Sequence, residues 1–242
     1  MKVLVINGSP KGENSNTFKL TSALLKGLQE NPDIEIETLV VKEMDIKPCL
    51  GCLSCWYQTP GKCVIDDVMQ DVYKKVMAAD LVIESFPLFF FGMPGPMKTF
   101  TDRMCPLMES YNGFSKTIGN SAFHEPRFDM SGKRLVIVST CGYAKTEEIY
   151  DSLIKELNFI AGKGNYLPLF CPQGEMYRIP LMQQYIDVFV ETYKEIGRLL
   201  GRNEEIPQDL LEKASKPIVP QRAFENLISN YANFFQPEEN KQ

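Results

Sequence analysis

The sequence lacks any excess of positive charge: Lys and Arg number 26 against 31 Asp and Glu, a net charge of −5 over 242 residues. That argues against a nucleic-acid partner recognised through a broad basic field, and leaves room only for a local patch. Long apolar runs are missing as well. No stretch approaches the roughly 18 residues that cross a bilayer, and the chain enters a strand at once without a signal-peptide pattern. No membrane partner and a cytoplasmic location are therefore expected. Two common nucleotide loops are absent, the Gly-x-Gly-x-x-Gly of dinucleotide sites and the Gly-x-x-x-x-Gly-Lys-Ser/Thr of NTPases. A disulfide framework is disfavoured by cysteine usage: seven cysteines, an odd number, with four bunched between Cys49 and Cys63, read better as reduced thiols or ligands.

What is present begins with Val3 to Ile6, an apolar run without alternation that suits a central parallel strand buried on both faces. It breaks into Gly-Ser-Pro-Lys-Gly-Glu-Asn-Ser-Asn-Thr, residues 8 to 17. Gly8 and Gly12 permit unusual backbone, Pro10 stiffens the turn, and Ser15, Asn16 and Thr17 are helix-capping types. A helix N-terminus with free N–H groups favours an anion. Ser9, Lys11, Ser15, Asn16 and Thr17 thus make a candidate cradle for a terminal monophosphate. An ordinary strand, turn and capped helix accounts for the same residues equally well.

Strand and helix then alternate. Apolar spacing predicts a helix over 15–30, a strand over 34–41, irregular chain over 44–66 and a helix capped by Asp66 or Asp67. A third strand, 81–85, feeds a loop from Phe86 to Met97 too rich in Pro and Gly to be helix or central strand. Helix is expected over 98–104, and 105–131 has no clear period, as a functional flap would. A strand over 134–140, a helix over 146–160, a strand near 165–170 and a helix over 180–200 follow. The order implies an α/β doubly wound parallel sheet of five strands. Beyond residue 200, helices over 207–215 and 220–235 form a C-terminal extension. Its stripe of Phe224, Leu227, Ile228, Tyr231, Phe234 and Phe235 packs on the same domain or on a dimer partner. The domain division expected is 1–200 and 201–242.

In such a sheet ligands bind beyond the carboxyl ends of the strands, where strand order reverses. Three loops meet there: 9–17, 87–93 and 140–143. The second offers a Pro-Leu-Phe-Phe-Phe wall, although each aromatic taken singly suits the core better. The third, Thr140, Cys141, Gly142 and Tyr143, offers small residues beside which a flat ring can lie. A planar heteroaromatic carrying one phosphate fits all three.

Two motifs in this order, the residue 8–17 loop and Phe-Pro-Leu-Phe-Phe-Phe-Gly-Met-Pro-Gly-Pro-Met-Lys-x-Phe-x-Asp-Arg from Phe86, resemble the NAD(P)H-dependent FMN reductase branch of the flavodoxin-like proteins over roughly residues 1–200. The resemblance implies a flavodoxin-like sheet of order 2-1-3-4-5, with Ser9, Lys11, Ser15, Asn16 and Thr17 at the FMN phosphate. It places Pro87, Leu88, Phe89, Phe90 and Gly92 at the isoalloxazine, with Phe where family members often carry Tyr. It further implies a homodimer or homotetramer and an enzyme without a protein nucleophile, passing reducing equivalents from NAD(P)H through FMN to a flavin, quinone, nitro compound or similar small acceptor. Lys98, Asp102 and Arg103 are read as a helix salt bridge supporting the loop. His124, the only histidine, is a candidate proton donor.

Cys49-x-x-Cys52-x-x-Cys55 followed by Cys63 has spacing at which thiolates can converge on an iron-sulfur cluster or zinc. It is similar to the compact motif of iron-sulfur flavoproteins, with a longer last gap. A metal-free thiol loop, a [4Fe-4S] cluster and zinc all remain open. Two functions of other classes therefore stand beside the reductase: an electron carrier exchanging electrons with a redox protein, and a thiol-based redox sensor.

Overall fold

The structure, a computed structural model, describes residues 1–110 and 124–234. Strands β1 (Lys2–Asn7), β2 (Glu35–Val40), β3 (Leu81–Pro87), β4 (Arg134–Thr140) and β5 (Leu167–Cys171) form one sheet in the order β2-β1-β3-β4-β5. Every neighbouring pair is parallel. The helices are α1 (Asn16–Leu28), α2 (Ser54–Tyr57), α3 (Met69–Ala78), α4 (Gly95–Asp102), α5 (Asp151–Ala161), α6 (Gln183–Arg202), α7 (Gln208–Ser215) and α8 (Gln221–Phe234). This is the doubly wound 2-1-3-4-5 topology expected.

Alternation along each strand divides the core. Val3 and Val5 join Leu81, Ile83, Val136 and Val138 beneath α1 and α6, whereas Leu4 and Ile6 join Phe86 and Ile137 beneath α3, α4 and α5. Both faces of β1 are covered, which is why its run shows no polar positions. Edge strand β2 exposes Glu35 and Glu37 instead. The α1–α6 contact is backbone-close. A Cβ on Gly27 would fall 1.9 Å from the Lys194 carbonyl oxygen, and one on Gly197 2.0 Å from that of Leu24. Ala214 of α7 and Phe224 of α8 are buried in the cluster that holds α1 and α6, with Leu227 and Ile228 packed against it. Tyr231, Phe234 and Phe235, the rest of that stripe, lie outside the described side chains, as residues 111–123 of the 105–131 segment lie outside the described residues.

Several boundaries differ from expectation. β3 continues through Phe86 and Pro87, paired in register with Ser139 and Thr140; proline is tolerated there because the strand is ending. α4 begins at Gly95, not residue 98, with Pro96 in its first turn, a position that needs no N–H. α5 begins at Asp151 rather than 146, since Glu148 takes φ +66 and interrupts the helix. The cysteine segment read as irregular holds the short helix α2.

Candidate functional site

At the carboxyl edge of the sheet β1 ends at Asn7, and the chain turns through residues 8–15 before α1. Gly8 is required by packing: a Cβ there would fall 2.5 Å from the Met97 sulfur of α4. Ser15 is the N-cap of α1, its Oγ accepting from the Phe18 N–H at 3.0 Å. The Ser15 carbonyl takes the Lys19 N–H at 3.2 Å. The N–H groups of Asn16 and Thr17 are left without an acceptor among the described residues, at the positive end of the helix.

The side chains expected at a phosphate come together here. Ser9, Ser15 and Thr17 are buried, Asn16 is half-buried and Lys11 is exposed. The Ser9 and Ser15 hydroxyls accept from backbone N–H groups of Lys11 and Phe18, which leaves each hydroxyl hydrogen available to an anion. Asn16 and Thr17 have a second task. Asn16 Nδ2 donates to the Gly174 carbonyl at 2.7 Å, and Thr17 Oγ1 lies 2.6 Å from Thr140 Oγ1, so the cradle is fastened to β4 and to the turn after β5. Beneath it, Asn7 Oδ1 accepts from the Ser9 N–H, while its fully buried Nδ2 has no partner among the described residues. An unmet buried donor costs about 1–3 kcal/mol. A ligand oxygen at the loop would relieve it, so the donor set fits a phosphate monoester.

The second loop is a tight aromatic turn. The Leu88 N–H donates to the Thr140 carbonyl at 2.8 Å, then Phe89 and Gly92 exchange two backbone hydrogen bonds, each 3.0 Å. Phe90 and Phe91 occupy the centre at φ 49° and 66°. Positive φ at both central positions is the type I′ pattern, which favours Asn and Gly; bulky residues there store on the order of 1–3 kcal/mol each. Phe90 is 100% exposed, Phe89 49% and Phe91 42%. The core reading of these rings is thus overturned, because the turn lifts them off the sheet; Leu88 is buried and Pro87 half-buried. Phe91 stacks on Tyr143 with centroids 5.7 Å apart, and its carbonyl accepts from the Ser152 hydroxyl.

In the third loop Thr140 and Cys141 are buried. The Cys141 N–H donates to the Cys171 carbonyl, its own carbonyl accepts from the Gly174 N–H, and burial raises its thiol pKa. Outward it is Gly142 and Tyr143 that face the loops. Cβ atoms built on Gly92 and Gly142 meet nothing within 4 Å, leaving space beside the aromatic turn.

Cys49, Cys52, Cys55 and Cys63 line a single cavity of about 100 Å³, joined by a fifth thiol, Cys105, from the turn after α4. Burial, then the Cys49 and Cys55 thiols, pushes Cys105 up to about 11. Burial, then Cys63 and Cys49, raises Cys55, whereas hydrogen bonding with Ser54 lowers Cys52. Trp56 Nε1 donates to the Cys105 carbonyl at 3.0 Å, tying α2 to this wall. Among the described residues no three His, Cys, Asp or Glu are arranged to hold a metal ion. The donor chemistry, five thiols on one cavity, fits a thiolate-ligated group. His124 lies on this side of the molecule, its ring 4.9 Å from Trp56 and its Nδ1 3.0 Å from the Glu109 carbonyl oxygen.

Contacts absent from the sequence reading also shape the site. Lys42, just after β2, lies beside Gly12: a Cβ there would be 3.0 Å from Lys42 Nζ. Gln173, buried at φ +57°, bonds through its amide to Ala144 and to both the N–H and carbonyl of Val219. Arg103 is 1% exposed and pairs with Asp67 at 2.7 Å, not within its own helix; Lys98 and Asp102 do form the expected helix ion pair. No local spacing signals contacts between residues so far apart in sequence.

A parallel sheet of this order, with its loops gathered at the switch point, defines a flavodoxin-like α/β protein. The chain belongs to the NADPH-dependent FMN reductase family, whose model matches residues 1–162. It is 36% identical over 107 residues to an iron-sulfur flavoprotein of Methanocaldococcus jannaschii, covering 44% of this chain and 53% of that one. To an FMN-dependent NADH:quinone oxidoreductase of Pseudoalteromonas atlantica it is 24% identical over 147 residues, covering 58% and 68%. The chain spans about half the length of the first curated relatives it matches. In fold it resembles an NAD(P)H:quinone oxidoreductase from Methanothermobacter marburgensis, with a TM-score of 0.59 over 83% of this chain and 96% of that one at 15% identity. No helix among the described residues is long and apolar enough to cross a membrane.

Proposed function

We propose that the protein is an FMN-dependent NAD(P)H oxidoreductase delivering reducing equivalents to a small acceptor such as a flavin, quinone or nitro compound. One observation carries this reading: the unmet donors of Asn7, Asn16 and Thr17 stand at one end of a site whose other loops present an aromatic turn and open glycines, in a chain of the FMN reductase family. Bound FMN supplies the hydride chemistry, accepting from a nicotinamide and returning to the acceptor.

The residues do the rest. Ser9, Ser15, Asn16 and Thr17 hold the phosphate by N–H and hydroxyl donors, and Lys11 adds positive charge. Pro87, Leu88, Phe89, Phe90 and Gly92 orient one side of the ring, and Thr140 to Tyr143 bound the other and exclude water. No protein nucleophile is needed. The enzyme works in the cytoplasm as a homodimer or homotetramer without nucleic-acid or membrane partners. Purified protein should carry FMN or take it up, and should then oxidise NADH or NADPH; a protein that binds no FMN and supports no such oxidation refutes the assignment.

The thiol cavity favours a second reading, in which Cys49, Cys52, Cys55 and Cys63 hold a [4Fe-4S] cluster that exchanges electrons with the flavin. Relatives named iron-sulfur flavoproteins support it. Anaerobically prepared protein should then contain iron and acid-labile sulfide. Their absence would leave a thiol loop.

A further inference from the structure

Arg103 follows α4, whose first residue, Gly95, lies just beyond the aromatic turn, and it ends in the wall of the thiol cavity. Its backbone is held on both sides, the N–H donating to the Phe100 carbonyl at 3.1 Å and the carbonyl accepting from the Tyr73 hydroxyl at 2.7 Å. Its guanidinium is fixed as firmly. Nη1 donates to the Lys47 carbonyl and to Asp67 Oδ2, and Nη2 donates to Asp67 Oδ1 at 3.0 Å and to the Cys63 sulfur at 3.5 Å.

A buried arginine at 1% exposure ordinarily has its donors met. This one does not: Nε has no acceptor among the described residues. One hydrogen therefore reaches a candidate ligand sulfur, and another lies unmet on a side chain that lines the cavity. The first is what an anionic sulfur-rich group in the cavity would use.

We propose that Arg103 is a positioning residue of the thiol cavity, fixing the Cys63 sulfur by a hydrogen bond that tunes an iron-sulfur group held there by thiolates. The inference rests on the iron-sulfur reading given above. A thiolate-ligated cluster is anionic, and each added electron makes it more so. The charge of Arg103 is paired with Asp67, so it acts on the group through its hydrogen bond to sulfur, one of the factors that set cluster potentials. Arg103 therefore favours the reduced form. Asp67 orients the fork from its far side, which leaves one Nη2 hydrogen for Cys63.

The test reconstitutes the full chain anaerobically with ferrous iron and sulfide, as wild type, Arg103→Lys and the pair Arg103→Gln with Asp67→Asn, which removes both buried charges together. Iron and sulfide per chain, the midpoint potential in a dye-mediated dithionite titration, and the rate of iron loss to a chelator are read. Both variants are expected to bind iron, to show midpoints more negative than wild type, with the larger shift in the pair, and to lose iron several-fold faster. Unchanged midpoints and unchanged iron loss overturn the proposal and leave a structural ion pair. Should the pair not fold, Arg103→Lys decides alone, because it keeps the charge and loses the fork. Wild-type protein that takes up neither iron nor sulfide refutes the iron-sulfur reading itself, and the proposal with it.

Discussion

Glu84 lies in the middle of β3, in register with Ile6 on one side and Ile137 on the other. Burial, with the Glu156 carboxylate second, pushes its carboxyl up to about 7 from an ordinary 4.5. Below 4.5 the group is protonated in both folded and unfolded chains and costs nothing. As pH rises to 7 the unfolded chain releases the proton while the folded one keeps it; above 7 the folded chain must hold a half-buried charge between two apolar strands. Stability is therefore lost with rising pH through that window. Glu84→Gln is expected to be close to wild type at pH 4.5 and more stable at pH 8, by roughly 3 kcal/mol at most, at 1.36 kcal/mol per unit. Urea unfolding at both pH values measures it, and an equal effect at the two would contradict the assignment. The sequence marks Glu84 only as an acid in an apolar run, so its altered proton affinity needs the fold to be seen.

Among the elements, the strained turn over Phe90 and Phe91 separates stability from function. Replacing the pair by Asn-Gly matches the type I′ backbone and should raise stability by about 1–2 kcal/mol. It also removes the Phe91 stack on Tyr143 and the fully exposed Phe90 ring, so turnover with small acceptors should fall while FMN binding, held by the cradle, persists. Thermal unfolding and NAD(P)H oxidation assays check the two effects separately. The α1–α6 contact makes the opposite case. Gly197→Ala places a Cβ 2.0 Å from the Leu24 carbonyl oxygen, so the helices must separate, at a cost of about 1–3 kcal/mol or more. Since α1 carries the cradle on its first turn, flavin affinity should weaken with stability; a variant with unchanged affinity would show that the cradle is held independently of α6.

For the whole molecule, periodicity and turn chemistry made the sheet legible. Val3 to Ile6 reads as buried on both faces and is, and the Ser15 cap is visible in the residues themselves. The loops of the site were legible as loops but not as shapes. Nothing local requires Phe90 and Phe91 at positive φ, nor brings Cys105 to thiols some fifty residues earlier, nor joins Arg103 to Asp67; these follow from tertiary packing. Gln173 shows how far such contacts reach. Its amide meets Ala144 beyond β4 and Val219 before α8, and the neighbouring Gly174 carbonyl accepts from Asn16 of the cradle. The carboxyl edge and the C-terminal helices thus share one clamp. Gln173→Ala would leave the Val219 N–H and two carbonyls without their partner, at about 1–3 kcal/mol for each group kept from water. Relief of the φ +57° backbone would not follow, because alanine is strained there too. FMN affinity, followed by flavin fluorescence, and protection of α7 and α8 amides from hydrogen exchange should therefore fall together in this variant. Loss of protection with unchanged affinity would mean that the cradle does not feel the clamp, and that the Thr17–Thr140 contact with β4 is enough to hold it.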